Sequence, residues 1–201
     1  MNKDARKKIK KLILEMISNK LETYSPETQN MPFFQAIFTP EQMVTASLIQ
    51  SFYTSFGMSA YEQIAVILAE NAGYSAERQY YLKGEIDYKT EAIISKIHKN
   101  LREGGSWDSE KPLKQISKSI KQGKAKEDSD SVVDIFVKID GREYYFGITT
   151  VKPNMEGFNT HSKKMLRWIA LRLSTDKKAK VNVGLVIPYN PYEPKEYDRW
   201  N

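Results

Sequence analysis

The stretch that decides the fold is VVDIFVKIDGREYYFGITTV, residues Val132–Val151. Its two halves, Val132–Ile139 and Arg142–Val151, are rich in β-branched and aromatic residues, which favour β-strands. Between them lies Asp140-Gly141, a dipeptide typical of the two-residue turn of a β-hairpin. We therefore predict two antiparallel strands joined by this turn.

The chain after the hairpin predicts a helix and a third strand. Apolar residues recur at helical spacing between Phe158 and Leu173, and Lys180–Ile187 (KVNVGLVI) is a β-branched run typical of a strand. A tail punctuated by prolines begins at Pro188. The C-terminal third is therefore expected to form a hairpin, a helix and a further strand.

The first hundred residues have the apolar periodicity of helices instead. Thr39 as N-cap and Pro40 in the first turn predict a helix that stops at Gly57. Ser59 would cap the next helix, which Gly73 would end. The other helices predicted here include residues 9–17 and 89–101.

Composition divides the chain into three regions. Residues 1–103 are the helical N-terminal region, which we expect to pack on the core. Residues 104–131 are polar and rich in lysine, which is typical of a solvated helix or a mobile segment. Residues 132–201 hold the hairpin, helix and strand of the core. The predicted fold class is α+β, with the regions forming one integrated domain.

Composition also excludes several classes of protein. The 201 residues include 31 Lys+Arg and 25 Asp+Glu, and the net charge of +6 suits a polyanionic partner. The absence of cysteine excludes disulfide scaffolds, thiolate metal sites and cysteine nucleophiles. No apolar run reaches the roughly 18 residues of a membrane span, and P-loop, GxGxxG and GxSxG motifs are absent. We expect a cytoplasmic protein with no membrane and no nucleotide cofactor.

Segments on both strands of the hairpin carry a recognisable pattern. Val133–Lys138 and Tyr144–Asn154 resemble the active-site region of the TdeIII-like type II restriction endonucleases, which have a PD-(D/E)xK core. Further matches are Met31-Pro32-Phe33, Thr54–Gly57 with Tyr61-Glu62, and Pro188–Tyr192. The resemblance implies a restriction-endonuclease-like fold. It also implies a homodimer that uses Mg²⁺ to cut double-stranded DNA at a short palindromic site of GGNCC type.

The resemblance also assigns roles to three positions. Asp134 would be one carboxylate ligand of Mg²⁺, and the family pattern has a glutamate at position 147 and a lysine at position 149. Strand side chains alternate, so that lysine would share a face with the glutamate and orient the attacking water. This chain has Gly147 and Thr149 instead, and Val133 where a proline often precedes the aspartate.

These departures predict a weak or inactive nuclease. A missing carboxylate and a missing cation should each remove kilocalories of transition-state stabilisation. An inactivated enzyme and a natural degenerate copy both stay open as explanations. Chains of the resembling family run on past the position of Asn201, so a further C-terminal part is also an open alternative.

Three other side chains are candidates for the site. Glu143 shares the strand face of Gly147 but lies four residues back, and its alternative is a solvated residue beside the turn. Glu62 is a candidate metal ligand from a helix, with a surface or capping-turn glutamate as the alternative. Lys152 either contacts a phosphate or simply ends a strand.

The remaining candidates for DNA contact are lysines, and solvated helix faces would look the same. They are Lys114, Lys118 and Lys121 in the polar segment, and Lys163 and Lys164 on the helix after the hairpin. His98 and His161 show no metal-ligand spacing and are expected at the surface or at helix ends.

Two functions compete with an impaired nuclease. One is a DNA-binding protein without catalysis, which the residues at positions 147 and 149 favour. The other is a protein-interaction domain in which the nuclease-like core is only a scaffold. Binding driven by phosphates weakens as salt rises, and this salt dependence distinguishes DNA binding from the scaffold alternative.

Overall fold

A computed structural model gives the fold, and it describes residues 1–26, 31–105, 110–121, 131–149 and 151–197, the side chain of Met58 apart. These residues form two compact units, Met1–Asn71 and Ala72–Asn201. Their secondary structure comprises seven α-helices, one π-helical segment and a four-stranded sheet. The α+β class is therefore confirmed for the part of the chain that is described. No helix of that part is both long enough and apolar enough to cross a membrane.

The first unit is helical, as predicted. Its elements are α1 (Lys3–Thr23), the short α2 (Pro32–Gln35), α3 (Pro40–Ser55), a π-helical segment (Phe56–Ala60) and α4 (Tyr61–Asn71). The Thr39 side chain accepts a hydrogen bond from the backbone N–H of Gln42, and the Gln42 side chain accepts one from the backbone N–H of Thr39. This capping box confirms the predicted start of α3.

The predicted stop at Gly57 and the cap at Ser59 are wrong. The chain continues from α3 through the π-helical segment into α4 without a break. Ser59 lies inside that segment, and its hydroxyl accepts a hydrogen bond of 3.0 Å from the Gln63 side chain. A π-type segment absorbs one extra residue while the helix continues, so a glycine here need not end it. Gly73, with φ of +84°, follows the end of α4 as predicted.

The second unit contains the sheet. Its elements are β1 (Ser75–Tyr81), α5 (Tyr88–Arg102), α6 (Glu110–Ser119), β2 (Val132–Ile139), β3 (Arg142–Ile148), α7 (Met155–Thr175) and β4 (Lys180–Val186). The strand order is β1-β2-β3-β4. Strands β1, β2 and β3 pair antiparallel, and β4 runs parallel to β3 after the crossover through α7.

The predicted hairpin is confirmed at its turn. Ile139 pairs with Arg142, so only two residues connect β2 and β3. Both of them, Asp140 and Gly141, have positive φ, at +47° and +74°, as a type I′ turn requires. Strand β2 has the predicted bounds, whereas β3 ends at Ile148 rather than Val151.

Strand β1 lies in a region that was predicted to be helical. Its sequence, SAERQYY, has little apolar character, and it forms the edge of the sheet beside β2. The Tyr80 ring stacks on Phe136 of β2 with centroids 4.4 Å apart. Cross-strand aromatic pairs of this kind stabilise a sheet edge whose own sequence is polar.

Helix α7 contributes more residues to the described core of this unit than any other element does. Nine of its residues are buried, and Trp168 and Leu166 are among the most deeply enclosed. At Gly84 the chain passes so close to α7 that an added Cβ would lie 2.2 Å from the carbonyl oxygen of Leu171. The Ser174 hydroxyl accepts a hydrogen bond of 2.9 Å from the Glu85 amide at the same place. Only glycine permits this contact between backbones.

Candidate active site

Asp134 is held by the backbone of the neighbouring strand. Ile135 of β2 pairs with Phe146 of β3, so Asp134 lies opposite Gly147. The Asp134 carboxylate is partly buried, and its Oδ2 accepts a hydrogen bond of 2.7 Å from the backbone N–H of Ile148. This bond fixes the orientation of the carboxylate at the point where the hairpin ends.

Gly147 is buried and enclosed by three side chains. A Cβ added there would lie 3.0 Å from Nδ1 of His161, and 3.5 Å from both Leu185 and Trp168. The expected position of the second carboxylate therefore exists in the fold, directly opposite Asp134, but it carries no side chain.

Thr149 follows the last residue of β3. Its backbone N–H donates to the carbonyl of Val186, 3.2 Å away, which continues the pairing with β4. The side chain is partly buried and offers a hydroxyl where the resemblance implies a lysine. The structure thus brings together the three predicted positions, 134, 147 and 149, while only Asp134 carries a charged group.

His161 belongs to this site, although it was expected at the surface or at a helix end. Nδ1 of its ring is buried and, among the described residues, has no hydrogen-bond partner. Burial lowers the pKa of His161, the Asp134 carboxylate opposes that change, and Lys164 adds to the lowering. The other histidine, His98, hydrogen-bonds the carbonyl of Asn159 at 3.0 Å and lies elsewhere on the unit.

A sequence signal for His161 exists but is weak. His161, Met165 and Trp168 follow one another at i, i+4 and i+7, which places all three on one face of α7. Met165 and Trp168 are buried, so the face is the one turned toward the sheet. The signal is weak because a histidine at the N-terminal end of an apolar helix face is equally consistent with a solvent-exposed residue.

Glu143 has a structural role instead of either predicted one. Its carboxylate accepts hydrogen bonds from Nε and Nη2 of Arg172, at 2.6 and 2.9 Å, and one from the Tyr145 hydroxyl. Burial alone raises the pKa of Glu143, but these hydrogen bonds and the Arg172 charge outweigh burial and hold it below its ordinary value. Glu143 is therefore neither a solvated turn residue nor a free metal ligand.

A basic cleft lies between α5 and the first turns of α7. It has a volume of about 520 Å³, and its polar lining comprises His98, Arg102, Glu156, Asn159, Thr160, Lys163 and Lys164. Three cations face one carboxylate there, and Lys164 also acts on the pKa of His161. The two α7 lysines predicted from the sequence are thus joined by Arg102, which sequence reasoning did not single out.

The other predicted lysines lie outside this cleft. Lys114 pairs with Glu110 at 2.7 Å along α6, while Lys118 and Lys121 are exposed. Nζ of Lys152 sits 5.1 Å from the ring centroid of Tyr192, a cation–π contact with the C-terminal tail. A role for these four lysines in binding DNA stays a prediction.

Glu62 lies in the first turn of α4, in the other unit. It is only 4% exposed, so a surface position is wrong, whereas its place in the first turn agrees with the alternative of a capping-turn glutamate. Its proposed role as a metal ligand stays a prediction.

The antiparallel hairpin, the crossover helix and the strand parallel to β3, with a carboxylate fixed near the start of β2, are compatible with the fold of restriction endonucleases. A comparison with protein-family models matches residues 1–201 to the type II restriction endonuclease HinfI. The chain belongs to the HinfI family of type II restriction endonucleases. Searches of curated proteins and of solved structures gave no match. The predicted enzyme class is confirmed at the family level, while the TdeIII-like assignment and the PD-(D/E)xK pattern stay predictions.

Restriction endonucleases of this type generally use divalent metal ions, which must be held by donor atoms at the site. Mg²⁺ prefers several oxygen ligands, including one or two carboxylates. Asp134 supplies one carboxylate and Gly147 supplies no donor. Within the described residues no group of three or more His, Asp or Glu side chains could hold a metal ion. The residues present do not fit the Mg²⁺ site that the resemblance implies.

Proposed function

We propose that this chain binds a short palindromic site in double-stranded DNA as a homodimer, and that it hydrolyses the phosphodiester bond weakly or not at all. The observation that carries the proposal is the position opposite Asp134, which is enclosed as a side-chain site should be but is occupied by Gly147. DNA as the substrate follows from the family, and the expected loss of hydrolysis follows from the residues at the site.

DNA binding is supported by the basic cleft. Arg102, Lys163 and Lys164 converge there from two helices, and the whole chain carries a net charge of +6. Converging cations attract the phosphate backbone regardless of base sequence, and they release counterions on binding. Binding by this surface needs none of the groups that the catalytic positions lack.

Impaired hydrolysis is supported by the missing groups themselves. A metal carboxylate and a lysine that stabilises charge are each worth a factor of roughly 10² or more in rate. Because groups that act as a unit are not additive, the combined loss is expected to be several orders of magnitude and smaller than the product of the single losses. A GGNCC-like target and Mg²⁺ as the metal of a restored enzyme belong to the same proposal.

The deciding experiment compares three proteins on supercoiled plasmid with Mg²⁺. They are the present chain, the double variant Gly147→Glu/Thr149→Lys, and that double variant carrying Asp134→Asn as its matched control. We expect discrete fragments from the double variant alone. Cleavage by the control as well would show that Asp134 is not the metal ligand.

Binding is measured separately, with the chelator EDTA present, as fluorescence anisotropy of labelled DNA fragments over a range of salt concentrations. We expect the present chain to bind, with an affinity that falls as salt rises. A catalytically inactive DNA-binding protein gives this result and no cleavage. If the present chain and the Gly147→Glu/Thr149→Lys variant both fail to bind and to cut DNA, the proposal is wrong and the scaffold alternative replaces it.

A further inference from the structure

Nδ1 of His161 stands apart from the other polar groups around the hairpin. It is buried and has no hydrogen-bond partner among the described residues, and such groups are rare because they lose their bonds to water without replacement. A space in which a partner could sit is the Cβ position of residue 147, which lies 3.0 Å away. Leu185 and Trp168 close the same space and offer no polar atom aimed at the ring.

The imidazole and the open position 147 are therefore complementary. A side chain with an oxygen at position 147 would emerge between Asp134 and the His161 ring, within reach of Nδ1. A purely apolar side chain would meet the same nitrogen and leave it without a partner. The tight Cβ distance also means that any residue other than glycine must make the ring yield by a few tenths of an ångström.

We propose that His161 is a positioning residue of the active site, whose Nδ1 hydrogen-bonds an acidic side chain at position 147 and holds it opposite Asp134. This inference rests on the proposed function, since it identifies what would orient the second carboxylate. In the present chain position 147 is a glycine, and Nδ1 of His161 lies 3.0 Å from where its Cβ would be. The assignment explains a buried unpaired nitrogen that core packing alone would not retain.

The test is a double-variant cycle read by thermal unfolding in metal-free buffer, with no DNA. Gly147→Asp is made in the parent chain and in His161→Phe, which keeps an aromatic ring but removes both nitrogens. Gly147→Leu, similar in size to aspartate but without oxygen atoms, is the matched control in both backgrounds. We expect Gly147→Asp to cost about 3 °C or more of additional Tm in the His161→Phe background. Gly147→Leu is expected to cost the same in both backgrounds.

A smaller pair of variants keeps the test decisive if aspartate at this position prevents folding. Gly147→Ser and Gly147→Ala add the same Cβ and differ in one hydroxyl. ¹⁵N NMR of the His161 ring should then show a hydrogen-bonded Nδ1 in the serine variant and not in the alanine variant. Equal Tm costs in both backgrounds, or identical ring shifts in the two small variants, would overturn the role of His161.

This outcome is independent of the proposed function. The unfolding cycle and the ring shifts contain no nuclease substrate, so they report on His161 even if the chain binds no DNA. In the Gly147→Glu/Thr149→Lys enzyme, His161→Phe should lower kcat at least tenfold and leave DNA affinity unchanged. A protein that binds DNA but shows no coupling between positions 147 and 161 keeps the proposed function and rejects this inference alone.

Discussion

The backbone N–H of Ile148 donates a 2.7 Å hydrogen bond to Oδ2 of Asp134. The bond joins β2, which carries Asp134, to the last residue of β3, which lies between Gly147 and Thr149. Asp134 therefore has a structural partner that does not depend on metal or substrate, and this partner gives it an effect on stability that can be measured without an activity assay.

Asp134→Ala should destabilise the protein by about 1–2 kcal/mol, because the partly buried Ile148 amide loses its acceptor. Asp134→Asn keeps an acceptor oxygen at the same place and should cost less than half as much. Urea denaturation of the three proteins checks this order. Equal losses for the two variants would mean that the hydrogen bond contributes little.

Removing the Asp134 charge should also strengthen DNA binding modestly, about two- to fivefold at low salt. The Asp134 carboxylate and Lys164 of the basic cleft both act on the pKa of His161, so the carboxylate lies near the cleft. Its negative charge therefore opposes the approach of phosphates to the cleft. Anisotropy titrations of Asp134→Asn against the parent measure this change. The difference should shrink as salt screens the charges.

Gly84→Ala should be among the most destabilising single changes in the second unit, by about 3 kcal/mol or more. The added Cβ would lie 2.2 Å from a backbone oxygen of α7, and a helix backbone cannot yield as a flexible side chain would. The control is Lys83→Ala, an exposed neighbour that should change stability by less than about 0.5 kcal/mol. Thermal melts of both variants decide the question.

The Glu143–Arg172 pair should make stability depend on pH. Because the pKa of Glu143 is lowered in the folded protein, the unfolded chain binds more protons as the pH falls below the ordinary value of 4.5. The stabilisation is therefore complete above about pH 4.5 and is lost as the pH falls through the folded pKa.

Glu143→Gln provides the matching measurement. It removes the charge but keeps the size of the side chain, and at pH 7 it should cost about 2 kcal/mol, because the partly buried Arg172 loses its charged partner. The gap in Tm between parent and variant should narrow as the pH falls below about 4.5 and through the lowered pKa of Glu143. A gap that stays constant across this range would show that the charge of Glu143 contributes nothing.

The basic cleft should set the salt dependence of DNA binding. Lys163→Gln and Arg102→Gln are each expected to weaken binding and to reduce the slope of log K against log salt by about 0.9 for each phosphate that the variant no longer neutralises. Lys99→Gln is the matched control, because Lys99 lies on the same helix as Arg102, is exposed, and does not line the cleft. If all three variants weaken binding equally, the DNA surface is not confined to this cleft.

The hairpin could be predicted closely because its signals are local. Asp140 and Gly141 adopt the backbone angles for which their residue types are selected, and the flanking β-branched runs leave no competing structure. The capping box at Thr39 is local in the same way. The turn and the capping box each depend on residues within four positions of one another.

The features that sequence reasoning missed depend on distant partners. Strand β1 is polar and forms because β2 offers a paired edge and an aromatic ring for Tyr80. His161 became a site residue only because α7 crosses the sheet over Gly147, and no local spacing encodes that crossing. Arg102 joined the cleft for the same reason, since α5 and α7 meet only in the folded unit.

The order of the sheet places β2 and β3 in its interior, each with a hydrogen-bonded neighbour on both sides. The spacing between positions 134 and 147 is therefore set by backbone pairing, and it does not depend on the side chains that perform the reaction. Loss of chemistry and loss of architecture are separable in such a design. Substitutions at positions 147 and 149 are therefore expected to change the chemistry of the site while the paired backbone around it stays in register.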